Sequence, residues 1–171
     1  MNRLTQKICL LGDFSVGKTS LVRQFVEGRF DDRYLSTIGV RVSRRQAVVN
    51  AHELSLLIWD IAGSEAFSQV VHNYYAGSGG ALLVCDLTRL DTLGTLERYS
   101  AEFRQINPAA HLVLLANKLD RSSERAIEHQ QLADFAARLN IPWYLTSAKT
   151  GAGVEASFLD LSAAIITQRS M

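Results

Sequence analysis

Short apolar runs and amphipathic stretches alternate along the whole chain. Nearly continuous apolar residues at 81–87 and 112–116 predict strands that are buried on both faces. In residues 19–26, by contrast, the apolar positions recur at the spacing of a helix. The full pattern predicts strands at residues 7–11, 39–49, 53–61, 81–87, 112–116 and 142–145. It predicts helices at residues 19–26, 92–106, 127–139 and 154–167.

Repeated alternation of strand and helix predicts the α/β class, with a mostly parallel six-stranded sheet and helices on both faces. A short turn at residues 50–52 separates the second and third strands. We find no internal repeat or linker, so we expect a single domain over residues 1–171. Because ligands of such sheets bind beyond the carboxyl ends of the strands, the chemically active residues should directly follow the apolar runs.

The composition is that of an ordinary globular protein, with 47% apolar and 20% charged residues. A net charge of +1 gives no electrostatic argument for nucleic acid binding. Cys9 and Cys85 lie in apolar runs without metal-ligand or redox spacing, which indicates buried free thiols in a reducing compartment. The polar N-terminus and the lack of a long apolar stretch argue against a secretory signal and a membrane span. We therefore expect a cytoplasmic protein.

A phosphate-binding pattern follows the first strand. Residues 12–19 read Gly-Asp-Phe-Ser-Val-Gly-Lys-Thr and match G-x-x-x-x-G-K-[ST]. Backbone N–H groups and the helix N-terminus can converge there on phosphate oxygens, with Lys18 bridging the terminal phosphates and the Thr19 hydroxyl on Mg²⁺. The alternative is an ordinary glycine-rich turn with an exposed lysine. The loop residues expected to bind the nucleotide are Phe14, Ser15, Val16, Gly17, Lys18, Thr19 and Ser20.

Two loops that follow later strands predict guanine as the base. Residues 117–120 read Asn-Lys-Leu-Asp, and the Asp120 carboxylate can accept hydrogen bonds from N1–H and the 2-amino group of guanine. Adenine lacks both donors, which argues against an ATP-dependent kinase or ATPase. The second loop, residues 146–149, can present the Ala148 N–H to the guanine carbonyl. The residues expected to bind the base are Asn117, Lys118, Asp120, Ser147, Ala148 and Lys149.

On these motifs the chain resembles the Ras superfamily of small GTPases, most closely the Rab branch, over residues 7–166. Residues 36–40 (Ser-Thr-Ile-Gly-Val) are similar to a Rab first switch, and residues 57–63 (Leu-Ile-Trp-Asp-Ile-Ala-Gly) are similar to the second-switch motif. The resemblance implies the small G-protein fold of P-loop NTPases. It also implies a molecular switch that binds GTP or GDP with Mg²⁺ and hydrolyses GTP.

By the same resemblance, Thr37 would contact Mg²⁺ and the γ-phosphate, Asp60 would hold Mg²⁺ through water, and the Gly63 N–H would sense the γ-phosphate. Phe30 lies where the family often places an aromatic ring against guanine. Alternatively, Phe30 ends the first helix by packing on the core. The implied catalytic residues are Lys18, Thr37, Gly63 and Ser64.

Two residues depart from the family at the site of hydrolysis. Ser64 replaces a glutamine that orients the attacking water, and serine is too short to reach that water. Phe14 stands where a small residue is usual, and its ring would crowd a partner's arginine. We expect normal GTP binding and slow hydrolysis, or a GTP-binding module that has lost useful hydrolysis. The alternative is that Glu65 or a glutamine from a partner takes over.

The family also implies partner proteins. Effectors and exchange factors would bind through residues 30–45 and 60–76, and we expect a monomer. Arg41, Arg44 and Arg45 make the predicted edge strand basic, either to prevent aggregation or to dock an acidic partner. The chain ends at Met171 without the prenylated cysteines that are common in Rab-like proteins. Either a lipidated tail that attaches the protein to membranes was removed, or the protein is not lipid-anchored.

Overall fold

The computed structural model of the protein describes residues 2–33 and 37–171. Strands of these residues form one six-stranded sheet: β1 (Asn2–Leu11), β2 (Val40–Val49), β3 (His52–Ile61), β4 (Gly80–Asp86), β5 (His111–Asn117) and β6 (Trp143–Leu145). Their order across the sheet is β2-β3-β1-β4-β5-β6. The hairpin of β2 and β3 is antiparallel, and the other neighbouring strands in this part of the chain are parallel. The prediction of a mostly parallel six-stranded sheet is confirmed.

Helices cover both faces of the sheet: α1 (Lys18–Glu27), α2 (Val71–Tyr75), α3 (Asp91–Gly94), α4 (Leu96–Ile106), α5 (His129–Leu139) and α6 (Val154–Arg169). The helices α1 and α6 pack on one face, and α2 to α5 pack on the other. Alternate residues of β4 point to opposite faces, with Leu82 in one core and Leu83 in the other. Two apolar cores therefore fix the sheet from both sides, and the loops at its carboxyl edge lie on a rigid support.

The first strand is longer than the sequence pattern predicted. It begins at Asn2, not at residue 7, and pairs with β3 in parallel from Asn2 and His52 to Leu10 and Asp60. Its early residues do not form an apolar run, because Arg3 is exposed and Gln6 is buried with its amide donating to the carbonyl of Ser162. The prediction from apolar runs therefore missed residues 2–6, which belong to β1 because their backbone pairs with β3.

Two helical details also differ from the prediction. The predicted helix at 92–106 is divided into α3 and α4 at Thr95, whose hydroxyl donates to the Asp13 carboxylate at 2.7 Å. The short helix α2 was not predicted, since its five residues are too few to show a helical period. Thr95 thus joins the core helices to the loop that follows β1.

The two cysteines are free and buried, as predicted. Burial raises the pKa of Cys9 to about 11 and the pKa of Cys85 to about 12, so both thiols stay protonated and unreactive at neutral pH. Among residues 2–33 and 37–171, none of the helices combines the length and the apolar character that a membrane crossing requires.

Candidate functional site

A cavity of about 300 Å³ opens at the carboxyl edge of the sheet, where β1, β3, β4 and β5 end. Its walls come from the loops after β1, β5 and β6, from residues 30–33 and Thr37, and from the segment at residues 60–63. The predicted site residues line this cavity, with the exception of Val16, Ser64 and Ser147. Those that line it are Phe14, Ser15, Gly17, Lys18, Thr19, Ser20, Phe30, Thr37, Asp60, Gly63, Asn117, Lys118, Asp120, Ala148 and Lys149.

The loop of residues 12–19 needs its glycines where neighbouring loops approach it. A Cβ atom on Gly12 would lie 2.3 Å from the carbonyl oxygen of Val84, and one on Gly17 would lie 2.4 Å from Nδ2 of Asn117. Both residues also have positive φ angles, 151° and 102°. The loop can therefore close against β4 and β5 only with glycine at both positions.

Lys18 is a buried cation in the centre of this loop. Its side chain donates to the carbonyl oxygens of Gly12 at 2.7 Å and Asp13 at 3.1 Å. Burial lowers the pKa of Lys18 to about 8, although the nearby carboxylates of Asp60 and Asp13 favour the charged form. An anionic phosphate in the cavity would stabilise this charge far better than neutral carbonyl groups do.

Three oxygen-bearing side chains meet beside Lys18. The Asp60 Oδ2 accepts a hydrogen bond from the Thr19 hydroxyl at 2.6 Å, and the Thr37 hydroxyl lies within hydrogen-bonding distance of both this oxygen (3.2 Å) and the Thr19 hydroxyl, with one proton to share between them. The Oδ1 of Asp60 is buried and has no hydrogen-bond partner among the described residues. A buried carboxylate oxygen in this position has to be satisfied, and hard oxygen donors are the ligands that Mg²⁺ prefers. This donor set therefore fits Mg²⁺.

The two predicted base loops are tied to each other and to the phosphate loop. Asn117 donates to the carbonyl of Val16 at 3.0 Å and accepts from the Thr146 hydroxyl at 3.1 Å. The Ser147 hydroxyl donates to the Asp120 carboxylate at 2.7 Å. Ser147 therefore orients Asp120 from behind, which explains why it does not line the cavity. Val16 does not line the cavity because its side chain packs in the core on the side of α1 and α6.

The aromatic residue Phe30 lies at the rim of the cavity, with 37% of its surface exposed. It is not among the described residues of either core, which argues against the alternative that it ends the first helix by core packing. Its position is compatible with a ring that covers the base. Ser36 of the predicted first-switch segment lies outside the described residues.

The two residues that depart from the family pattern, Phe14 and Ser64, both adjoin Gly63, one in space and the other in sequence. Phe14 lines the cavity with 57% of its surface exposed. Gly63 lies directly against its backbone, because a Cβ atom on Gly63 would be 2.6 Å from the Phe14 nitrogen. Ser64 is exposed and does not line the cavity.

The three arginines of the edge strand do not form one basic surface. Arg45 is bonded to the Glu155 carboxylate through two contacts of 2.6 Å and lies over the Phe25 ring. Arg41 points to the same face as Arg45, and Arg44 points to the opposite face, because side chains alternate along a strand. Arg45 thus has a structural role, which reduces the set that could dock an acidic partner to Arg41 and Arg44.

Several residues of the site were not found from the sequence. Asp31, Asp32, Arg33 and Arg121 also line the cavity, and Asp86 is buried next to Lys118, with 2.9 Å between its Oδ2 and the Lys118 Nζ. Residues 31–33 show no periodicity that would have marked them. Asp86 does end a predicted strand, so the rule that chemistry follows apolar runs could have found it.

Comparison with known proteins finds a family whose sequence model covers the residues of this site. The sequence model of the Ras family matches residues 7–167. The Ras-related protein Rab-1C of Dictyostelium discoideum is 35% identical over 160 residues, which cover 93% of this chain and 80% of that protein. The GTP-binding protein YPTM1 of Zea mays is 36% identical over 160 residues, which cover 93% of this chain and 77% of that protein.

Proposed function

Because the chain belongs to the Ras family and is a Rab-like small GTP-binding switch, we propose that it binds GTP and GDP with Mg²⁺ in this cavity and hydrolyses GTP slowly. The observation that carries the proposal is the convergence of three recognition groups on one cavity: the buried cation Lys18, the oxygen cluster at Asp60 and the carboxylate of Asp120. They match the phosphates, the metal and the base of a guanine nucleotide.

The phosphates would be held by the loop of residues 12–19. Its N–H groups and the N-terminus of α1 supply partial positive charge, and Lys18 supplies a full charge that burial keeps from solvent. Thr19 and Thr37 would ligate Mg²⁺, and Asp60 would hold it through water. The bound ion neutralises charge on the terminal phosphates.

Switching would follow from the positions of Thr37 and Gly63. They come from two separate segments, and both meet the nucleotide-facing wall of the cavity. Contacts to a γ-phosphate would hold both segments together, and its loss would release them. The two segments are also directly connected, since the Ala62 N–H donates to the Gly39 carbonyl at 2.9 Å.

The base would be selected by Asp120. Its carboxylate is fixed by Ser147 and faces the cavity, where it can accept from N1–H and the 2-amino group of guanine. A bound adenine would cover this carboxylate and leave it only the Ser147 donor, and a polar group that is covered without a partner typically costs about 1–3 kcal/mol, or more when charged. Selectivity for guanine follows from this cost.

Hydrolysis would be slow for two reasons. Ser64 is exposed and does not line the cavity, so that this short side chain would not reach and orient an attacking water. The Phe14 ring occupies the rim through which a partner's arginine would approach. Such an arginine is worth roughly 10³–10⁵ in rate.

The same pair of residues favours a second candidate, a GTP-binding interaction module without useful hydrolysis. The two candidates differ in the nucleotide that the protein carries. A slow enzyme should purify with mostly GDP, and a module without hydrolysis should purify with GTP. Chromatography of the nucleotide released on denaturation separates them.

Partner binding belongs to the same proposal. Effectors and exchange factors would contact residues 30–45 and 60–76, whose described parts reach the cavity at Phe30, Thr37 and Gly63 and would change with the nucleotide. The protein would act as a cytoplasmic monomer.

Competition between nucleotides tests the proposal. GTP and GDP should displace a fluorescent guanine nucleotide, and ATP should not. Asp120→Ala should lose guanine binding, whereas the control Asp134→Ala, at an exposed position of α5, should retain it. Equal affinity for ATP, or full GDP binding by Asp120→Ala, would refute the function.

A further inference from the structure

Arg89 holds a backbone carbonyl of the phosphate loop from outside the cavity. Its guanidinium Nη2 donates to the carbonyl oxygen of Phe14 at 2.9 Å. Two other side chains hold the next two carbonyls of the loop: Lys118 donates to Ser15 at 3.0 Å, and Asn117 donates to Val16 at 3.0 Å. Lys118 and Asn117 belong to the base loop, but Arg89 belongs to neither nucleotide motif.

The orientation of this peptide decides where the next N–H points. The described residues contain no cis peptide bond, and in a trans peptide the C=O and the following N–H point in opposite directions. Arg89 does not line the cavity, whereas Ser15 does. Since the Phe14 carbonyl is drawn towards Arg89, the N–H of Ser15 is turned towards the cavity, where it can donate to a phosphate oxygen.

We propose that Arg89 is a positioning residue for phosphate recognition, which fixes the peptide between Phe14 and Ser15 so that the Ser15 N–H faces the terminal phosphates. The inference rests on the proposed function of the same cavity. It adds a residue that lies outside the loops at 12–19, 117–120 and 146–149.

The guanidinium is itself held by a buried carboxylate. Its Nε donates to the Asp86 Oδ2 at 3.1 Å, and the Asp86 side chain is only 1% exposed. The other oxygen, Oδ1, accepts from the N–H of Thr88 at 2.9 Å and from its hydroxyl at 2.7 Å. Asp86 also contacts Lys118, so one carboxylate organises the donors to two successive carbonyls of the loop.

The ionisation of Asp86 supports this arrangement. Burial alone would raise the pKa of Asp86, but the hydrogen bonds from Thr88 and Lys118 outweigh burial and hold its pKa below the ordinary value. The carboxylate therefore stays charged at neutral pH and keeps both cations in place.

Arginine has a geometric advantage at this position. Its planar guanidinium presents separate N–H groups to the Asp86 oxygen and the Phe14 oxygen at the same time. A turn places the residue, because the Arg89 N–H donates to the Asp86 carbonyl at 2.9 Å and the Thr92 hydroxyl donates to the Arg89 carbonyl at 2.7 Å. A lysine can bridge two oxygens only where both lie close to its single ammonium nitrogen, as they do around Lys118, so it would not replace the two separate nitrogens that Arg89 uses.

The peptide needs such support because Ser15 has an unfavourable conformation. Its φ angle is 69°, in the left-handed region that residues with a side chain rarely adopt. Arg89 fixes the peptide before Ser15, and Lys118 fixes the peptide after it. Without Arg89 the first peptide can rotate and turn the Ser15 N–H away from the cavity.

The affected part of the nucleotide follows from the neighbourhood of Phe14. Gly63, which belongs to the second-switch segment, lies directly on the Phe14 backbone. A Cβ atom added to Gly63 would be only 2.6 Å from the Phe14 nitrogen. Asp120, which would read the base, is bonded to Ser147 and makes none of these contacts. Loss of Arg89 should therefore weaken binding of the terminal phosphates and leave binding of the base and the first phosphate unchanged.

Affinities for GMP, GDP and GTP test the inference by competition against a fluorescent guanine nucleotide. Arg89→Ala should lower the affinity for GDP and GTP about tenfold, the usual value of a hydrogen bond to a charged group, and should change that for GMP less than about twofold. Arg89→Lys should show the same loss, because it keeps the charge but not the bridge. A matched control is Arg138→Ala, which removes an exposed arginine that is paired with Glu97 at 2.9 Å, and which should change none of the three affinities.

Three results would overturn the inference. An equal loss for all three nucleotides would mean that Arg89 only stabilises the fold. Full GDP affinity in Arg89→Lys would mean that its charge acts at a distance. Unchanged GDP affinity in Arg89→Ala would mean that the loop keeps its conformation without Arg89. If the wild-type protein bound no guanine nucleotide, the proposed function itself would fail, and this outcome is separate from the other three.

Discussion

The two sides of the cavity are built differently. The loop side, residues 12–19, 117–120 and 146–149, is held by side chains that donate to its backbone and by buried residues such as Asn117. The switch side, residues 37–40 and 62–70, is held by Thr37, by a backbone bond from Ala62 to Gly39, and by packing of Phe67 on the core beside Tyr99. Ile38 on this side is 93% exposed.

This difference assigns nucleotide binding to the loop side and the conformational response to the γ-phosphate to the switch side. The loop side is held by hydrogen bonds between the protein's own residues, so its contacts favour affinity and base selectivity. On the switch side, Thr37 and the exposed Ile38 are not among the described residues that pack in either core, so a bound γ-phosphate can decide the conformation of their segment. Both departures from the family pattern, Phe14 and Ser64, adjoin Gly63, where the two sides meet. We therefore expect binding to be robust and hydrolysis to be impaired.

The largest effect should come from Lys18, the buried cation of the loop side. Lys18→Ala removes the charge that faces the phosphates, and loss of one partner of a buried ion pair typically costs about 3–5 kcal/mol. The affinity for GDP should fall more than about a hundredfold. Isothermal titration calorimetry measures it, and a loss below about tenfold would show that Lys18 does not contact phosphate.

Asp60, which lies between the two sides, should control the response to Mg²⁺. Asp60→Ala removes the buried oxygen that has no partner among the described residues, and should lower the affinity for Mg²⁺ about 10–100-fold if the carboxylate acts through water. The measurement is GTP dissociation across a Mg²⁺ titration. Identical Mg²⁺ dependence of the variant and the wild type would argue against the metal assignment.

A pair of substitutions compares the stability of the two sides. Asn117→Ala leaves the Val16 carbonyl and the Thr146 hydroxyl without partners, which should lower the free energy of unfolding by about 2 kcal/mol. Ile38→Ser on the switch side should change it by less than about 0.5 kcal/mol, because Ile38 is almost fully exposed. Urea unfolding measures both values. Equal losses would contradict the contrast between the two sides.

A smaller loss of stability than that of Asn117→Ala should come from the ion pair that anchors β2, the strand that follows the first switch. The Arg45 hydrogen bond lowers the pKa of Glu155 below its ordinary value of 4.5. The pair therefore stabilises the fold above pH 4.5, and this contribution is lost as pH falls through the lowered pKa.

Glu155→Gln measures this contribution. At neutral pH it should cost about 0.5–1 kcal/mol, a small value because Glu155 is largely exposed. At a pH below the lowered pKa, the unfolding free energies of variant and wild type should agree. A difference that persisted there would point to packing of Arg45 on Phe25 as the main contribution.

Much of the fold and the site could be predicted from the sequence, because the loop side depends on short motifs. The pattern from Gly12 to Thr19 and the carboxylate of Asp120 are local signals, and their loops follow apolar strands whose parallel pairing brings them together. The extent of β1 was missed because residues 2–6 contribute backbone pairing and few apolar side chains.

The support of the loop could not be predicted from the sequence. Arg89 and Phe14 are 75 positions apart, and their contact exists only because β1 and β4 are neighbours. The same applies to Arg45 and Glu155, which are 110 positions apart. Nothing in the sequence distinguishes either arginine from an ordinary surface charge. Their partners, Phe14 and Glu155, are brought close only by the packing of the fold.

The central claim is that this protein binds GTP through an intact loop side but lacks the groups that promote hydrolysis. Single-turnover hydrolysis of bound GTP in Mg²⁺ tests it most directly, with the wild type compared to the double variant Ser64→Gln and Phe14→Gly. The account predicts that the double variant hydrolyses GTP about tenfold faster or more, because it regains a water-orienting side chain and an open rim. A wild-type rate equal to that of the double variant would contradict the account.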